Sequence, residues 1–85
     1  LEYTVYVIYS KKFDKIYIGY TSNLEKRIIS HNHKLNKGWT KRYQPWELIY
    51  KEAYPDKKTA LRREKELKSY KGRLFIRELQ NEKSL

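Results

Sequence analysis

Cysteine is absent from these 85 residues, so neither a disulfide framework nor a thiolate zinc site is available to hold the chain together. Its stability has to come from packing. Only three glycines and two prolines are present, and no glycine falls in a G-x-G or Walker pattern, which excludes the loops that cradle nucleotide phosphates. Nucleophile motifs of the S-x-x-K and G-x-S-x-G kinds are missing too. No apolar run approaches the roughly 18 residues of a membrane span. The opening residues alternate into a strand instead of forming a signal peptide's apolar block. A cytoplasmic protein without a membrane partner is the expectation. At this length only one core fits, so a single domain over residues 1–85 is expected.

Negative charge is the other scarcity: ten Asp and Glu stand against twenty Lys and Arg, a formal +10 that favours polyanions. An apolar fraction of 39% and an aromatic fraction of 15% are too high for a disordered basic tail. The excess charge is also clustered. Residues 26–42 contain six basic and no acidic residues, and residues 57–73 contain eight basic residues against Glu64 and Glu66, so each stretch is +6. The two could flank one groove.

Residues 3–9 and 15–20 are mostly β-branched or aromatic and read as a hairpin. Pairing Tyr9 near Asp14 would set Tyr6 opposite Tyr17 and Thr4 opposite Gly19. Val5, Val7, Tyr9, Ile16, Ile18 and Tyr20 would then share a core face, with Tyr6, Ile8, Tyr17 and Gly19 on the other. Ser22-Asn23-Leu24-Glu25 fits a capping box, and Leu24, Ile28, His31 and Leu35 extend a helix over about 23–35. A basic aromatic loop, Trp39 to Trp46, precedes a third strand ending at Tyr54. Asp56 caps a second helix, which Gly72 interrupts before a short final helix over Leu74 to Leu79. The fold class is α+β: a small three-stranded antiparallel sheet flanked by helices in the order β-β-α-β-α-α.

In so basic a chain, a carboxylate on an apolar stripe calls for an explanation. Glu64 lies three residues from Leu61 and three from Leu67, on their face of the helix. It is either a stripe-edge residue in an ion pair with Arg63 or Lys68, or a metal ligand or catalytic carboxylate. Arg27 and His31 are i,i+4 neighbours. They either contact a phosphate together, or His31 completes the helix stripe as a hydrogen-bonded semi-core residue beside a solvated Arg27. His33 lies on a different face, so the two histidines cannot chelate zinc as an i,i+4 pair does. Tyr6 and Tyr17 are a structural aromatic pair, or serve in catalysis if the positive field lowers a pKa near 10. Trp39, Lys41, Arg42 and Tyr43 mix stacking surfaces with phosphate-seeking cations.

Thr4-Val5-Tyr6, then Tyr17-Ile18-Gly19, Thr21-Ser22-Asn23-Leu24, Arg27 and His31 together resemble the GIY-YIG endonuclease domain, with Thr4 standing where the motif's name has glycine. Gly38, Thr40, Pro45-Trp46-Glu47-Leu48-Ile49-Tyr50 and the stretch 60–68 are similar to its small bacterial branch, the group called UPF0213. The resemblance spans about residues 3–80. It implies a metal-dependent phosphodiesterase acting on DNA. Tyr6 would be the general base or position the attacking water, Tyr17 would orient the same centre, and Gly19 would allow close approach. Arg27 would stabilise phosphoryl charge, His31 would assist proton transfer, and Glu64 would bind one Mg²⁺ or Mn²⁺ ion. Lys15, Lys26, Lys41, Arg42, Tyr43, Arg63 and Lys68 are the expected nucleic-acid contacts.

Two function classes follow. One is a metal-dependent DNA endonuclease of low sequence specificity, acting as a monomer on branched, nicked or flapped DNA, with substrates chosen by shape or by a protein partner. The other is a nucleic-acid-binding module that does little or no chemistry. Metal dependence separates them.

Overall fold

The β-branched and aromatic run of residues 3–10 becomes the central strand of the sheet, where both of its faces are covered. In the computed structural model, which describes residues 2–83, the elements are β1 (Tyr3–Ser10), β2 (Lys15–Thr21), α1 (Leu24–Asn32), a 3-10 turn (Trp39–Tyr43), β3 (Glu47–Tyr54), α2 (Lys57–Lys68) and α3 (Tyr70–Lys83). Leu1, Ser84 and Leu85, at the ends of the expected 1–85 domain, lie outside the described residues. The sheet is antiparallel in the order β2-β1-β3, so the α+β class and the order β-β-α-β-α-α are as expected. Val5, Tyr6, Val7 and Ile8 are all fully buried.

The hairpin's faces agree with expectation, but its register does not. Tyr6 pairs with Gly19, Ile8 with Tyr17 and Thr4 with Thr21, a slide of two residues from the expected pairing. The turn is the cause. The ladder continues to Ser10 and Lys15, and residues 11–14 make the reversal, closed by Asp14 at φ 52°, a left-handed conformation that Asp tolerates. A two-residue slide leaves each side chain on its face, so only the partners change. Tyr6 therefore stands over Gly19, where a Cβ would come within 2.8 Å of the Tyr6 hydroxyl. β3 joins the other side of β1 through a bulge between Val7 and Ile8.

One layer, α2 and α3, packs on Val5, Val7 and Ile18 through Ala60, Leu67 and Ile76. The other layer, α1 and the 3-10 turn, covers Tyr6 and Ile8, with Leu24, Ile28, Tyr43 and Trp46 in contact. α1 is shorter than its periodicity. Asn23, not Ser22, is the N-cap, its side chain accepting from the Lys26 backbone N–H at 3.1 Å, so Glu25 is not the partner in a capping box. The helix stops at Asn32 because the following loop takes over its end. Gln44 donates to the carbonyls of His31 and His33 at 2.7 and 2.9 Å, and Asn32 exchanges two hydrogen bonds with the Trp46 backbone. Leu35 is left outside the helix and is 72% exposed.

Asp56 caps α2 as expected, accepting from the Thr59 N–H at 2.7 Å. Gly72 does not interrupt a helix. The break is at Ser69, which ends α2, and its Oγ accepts from the Gly72 N–H in the first turn of α3 at 3.2 Å. Gly72 instead permits close packing: a Cβ there would lie 2.3 Å from the Glu66 carbonyl oxygen. Among the described residues no helix is long and apolar enough to cross a membrane.

Candidate active site

α1 lies across the Tyr6 face so that one side of it meets the sheet, and its i,i+4 spacing brings Arg27 and His31 to the Tyr6 phenol. The Tyr6 hydroxyl is 2.7 Å from His31 Nε2, and Arg27 Nε donates to it at 3.4 Å. The Tyr17 ring packs against the His31 ring at 4.8 Å and the Tyr6 ring at 6.2 Å. A cavity of about 200 Å³ opens here between α1 and the 3-10 turn, lined by Tyr17, Arg27, His31, Trp39 and Thr40 among others. Tyr6 is fully buried behind this wall.

The hydrogen-bond directions follow from the far end of the network. Asn36 Oδ1 accepts from the Gly38 N–H at 2.8 Å, which turns the Asn36 amide so that its Nδ2 donates to Thr40 Oγ1 at 2.7 Å. The buried Thr40 hydroxyl then has one acceptor for its own proton among the described residues, His31 Nδ1 at 2.9 Å. His31 therefore carries its proton on Nε2 and donates it to Tyr6. Asn36, Thr40, His31 and Tyr6 form one line of donors ending at the Tyr6 oxygen. Asn36 is not marked as a site residue by the sequence, and Thr40 is marked only as part of the run that resembles UPF0213, without a role.

Burial, reinforced by the Arg27 charge, lowers the His31 pKa to about 4, so the ring is neutral at pH 7. Burial also pushes the Tyr6 phenol up to about 12 against the opposing Arg27 hydrogen bond. The expected lowering of a tyrosine pKa by the positive field therefore does not hold at Tyr6, because desolvation outweighs the single guanidinium beside it. The Tyr6 hydrogen bond in turn raises the pKa of Arg27. Glu64, from the opposite layer, lies near enough for its charge to contribute to the rise at Tyr6. Its side chain is 14% exposed and accepts from Lys68 Nζ at 3.2 Å. The ion pair that the sequence allowed is thus present, on a carboxylate that is largely buried.

The fold gathers Tyr6, Tyr17, Arg27 and His31, sets the Glu64–Lys68 pair on the opposite layer, and spreads the other expected contacts around them. Lys15 lies over the Tyr43 ring at 5.5 Å, Arg42 approaches the same ring, and Lys41 donates to the Lys34 carbonyl. Lys26 lies on the far side of α1, beside Ile29 and Leu35. Arg63 stands apart: it grips Glu52 through two hydrogen bonds of 2.8 and 3.0 Å and reaches Glu66 at 3.1 Å. Burial alone would raise the Glu52 pKa, but Arg63 and the Tyr50 and Tyr54 hydroxyls bring it down to about 2. Tyr50, Glu52 and Tyr54 alternate along one face of β3, a pattern visible in the sequence once the strand is assigned.

Two tyrosines on paired strands, a helix arginine and histidine against one of them and a carboxylate on the opposite layer make up the candidate site of a small α+β domain. The chain matches the GIY-YIG catalytic domain model over residues 2–78 and belongs to that family, which is a family of nucleases. It is 38% identical over 66 residues to a UPF0213 protein of Staphylococcus saprophyticus, covering 78% of this chain and 79% of the relative. A UPF0213 protein of Bacillus subtilis is 39% identical over 70 residues, with 79% and 71% covered. The solution NMR structure of a UPF0213 protein from Bacillus halodurans superposes with a TM-score of 0.55 at 28% identity, covering 93% of this chain and 85% of that one.

Proposed function

We propose that this single domain is a divalent-metal-dependent endonuclease that hydrolyses phosphodiester bonds in DNA with little sequence preference. The observation that carries the reading is the convergence of Tyr17, Arg27 and His31 on one cavity, with Tyr6 bonded to two of them and Glu64 close by.

The donor set suits a hard cation. Glu64 offers one largely buried carboxylate, and among the described residues there is no cluster of three or more His, Cys, Asp or Glu that could hold a metal by itself. Mg²⁺ and Mn²⁺ accept such a site because phosphate oxygens and water complete their shell, whereas a structural zinc site needs more protein ligands. When bound, the ion would polarise the phosphate and offset charge on the leaving oxygen.

The chain's own residues supply the rest. Arg27 is exposed at the cavity and oriented by its bond to Tyr6, a fixed positive donor for the phosphoryl oxygens as charge develops on them. Tyr17 is the tyrosine on the cavity wall, so its hydroxyl orients the attacking water. Tyr6 is buried and neutral at pH 7, which favours a positioning role, through Arg27 and His31, over the general-base role, the other of the two that the resemblance implied. His31, neutral and donating to Tyr6, keeps a second positive charge out of the buried network.

The test is a titration of Mg²⁺ or Mn²⁺ with the wild type and Glu64→Gln on linear, nicked, flapped and four-way DNA, read on a gel. Metal-dependent cleavage by the wild type is expected, at least 100-fold reduced in Glu64→Gln, with DNA affinity equal or higher. Cleavage that persists in the variant overturns the metal-ligand assignment. Metal-independent binding by both proteins without cleavage would identify a binding module.

A further inference from the structure

A second cleft adjoins the candidate active-site cavity. Its volume is about 450 Å³, and Lys15, Tyr17, Trp39, Lys68, Arg73 and Arg77 line it together with Asp14. It runs between the edge strand β2 and α3. The two cavities share Tyr17 and Trp39, so a ligand continuing from the Arg27 cavity into the cleft passes directly over these rings.

The cleft's chemistry is uneven in a telling way. Four cations and one carboxylate face it. Arg77 is paired with Asp14 at 2.9 Å, Lys68 with Glu64 at 3.2 Å, and Lys15 leans on the Tyr43 ring. Arg73 is exposed, and among the described residues its side chain has no hydrogen bond or ion pair. Trp39 is 48% exposed, yet its ring is held against Tyr43 at 4.6 Å, Trp46 at 6.0 Å and Tyr17 at 6.4 Å. Trp46 anchors the cluster, buried and donating to the Thr40 carbonyl at 2.7 Å. A half-exposed tryptophan braced by three other rings and flanked by cations is the combination that stacks a base and tracks a phosphate backbone.

We infer that the cleft holds an unpaired nucleotide next to the phosphate at Arg27, its base stacked on Trp39 and the adjoining phosphate at Arg73. This rests on the nuclease reading and names the substrate class for that site. In a duplex the faces of each base are covered by its neighbours, so the Trp39 face is usable only by a base outside the stack. An acidic peptide would satisfy the cations and leave the platform unused.

The test is fluorescence anisotropy in chelator, where metal-dependent cleavage is absent, using a 12-nucleotide single strand, a blunt duplex and a duplex with a 5-nucleotide flap. The wild type is expected to bind the single strand and the flap at least tenfold more tightly than the duplex. Trp39→Ala and Arg73→Gln should each remove most of that preference, while Trp39→Phe retains it. Arg73→Gln should also lower the salt slope for the single strand by about 0.7. Equal binding of all three DNAs by the wild type, or an unchanged preference in both variants, overturns the inference. Glu64-dependent cleavage with an unchanged preference would sink the cleft and spare the nuclease. A Trp39-dependent preference without cleavage of any DNA would do the reverse.

Discussion

Moving from pH 7 to pH 5 tests the buried His31 network directly. His31 has a pKa of about 4 in the folded chain against an ordinary 6.5, so the unfolded chain takes up the proton first. Stability is therefore fully present above pH 6.5 and is lost as pH falls towards 4. The full difference corresponds to about 3 kcal/mol. Between pH 7 and pH 5 the same linkage gives a loss of about 2 kcal/mol, a large fraction of a small domain's stability. Glu52, brought down to about 2, stabilises above its ordinary 4.5 and loses that contribution only below it. Urea unfolding at the two pH values and matched ionic strength measures the loss, and His31→Gln should flatten it to within about 0.5 kcal/mol. Side-chain ¹⁵N NMR of the wild type gives an independent reading: a neutral ring protonated on Nε2 is expected down to about pH 5. A flat stability profile in the wild type, or a ring that titrates near its ordinary value, would refute the reasoning.

Gly19→Ala places a methyl group 2.8 Å from the Tyr6 hydroxyl and 3.0 Å from the Tyr17 ring. The chain should remain folded at a cost of about 1–2 kcal/mol, with Tyr6 displaced from His31 and DNA cleavage down at least tenfold; unchanged cleavage would remove the close Tyr6 packing from the proposal. At Gly72 the obstacle is backbone, the Glu66 carbonyl 2.3 Å from a new Cβ, which cannot rotate away. Gly72→Ala should cost about 3 kcal/mol, and a thermal melt within 2 °C of the wild type would contradict the close approach of α2 and α3.

Local signals were legible wherever neighbours along the chain supply the physics. The Asp56 cap and the alternation that divides β1 and β2 into two faces both depend on residues within a few positions. Hence the element order and the face of every hairpin side chain could be read directly. The pairing partner of Tyr6 could not. A slide of two residues preserves the alternation, and the turn closed by Asp14 chooses between registers. The end of α1 was hidden for a similar reason, since its last carbonyls are taken by Gln44, more than ten residues on.

The candidate site divides along the same line. Tyr6, Tyr17, Arg27, His31 and Glu64 carry chemistry that residue type and motif spacing mark out, and so does the +10 charge. Arg63 looked equivalent to the other cations until Glu52, on another element, claimed it. Thr40 and Asn36 acquire a role only when the chain folds back and sets a hydroxyl against His31 Nδ1. The sequence by itself determined which groups a phosphate would meet at the proposed site. Tertiary structure decided their protonation and direction, because burial and the orientation of the partners set a pKa and a tautomer, and both are properties of position in space.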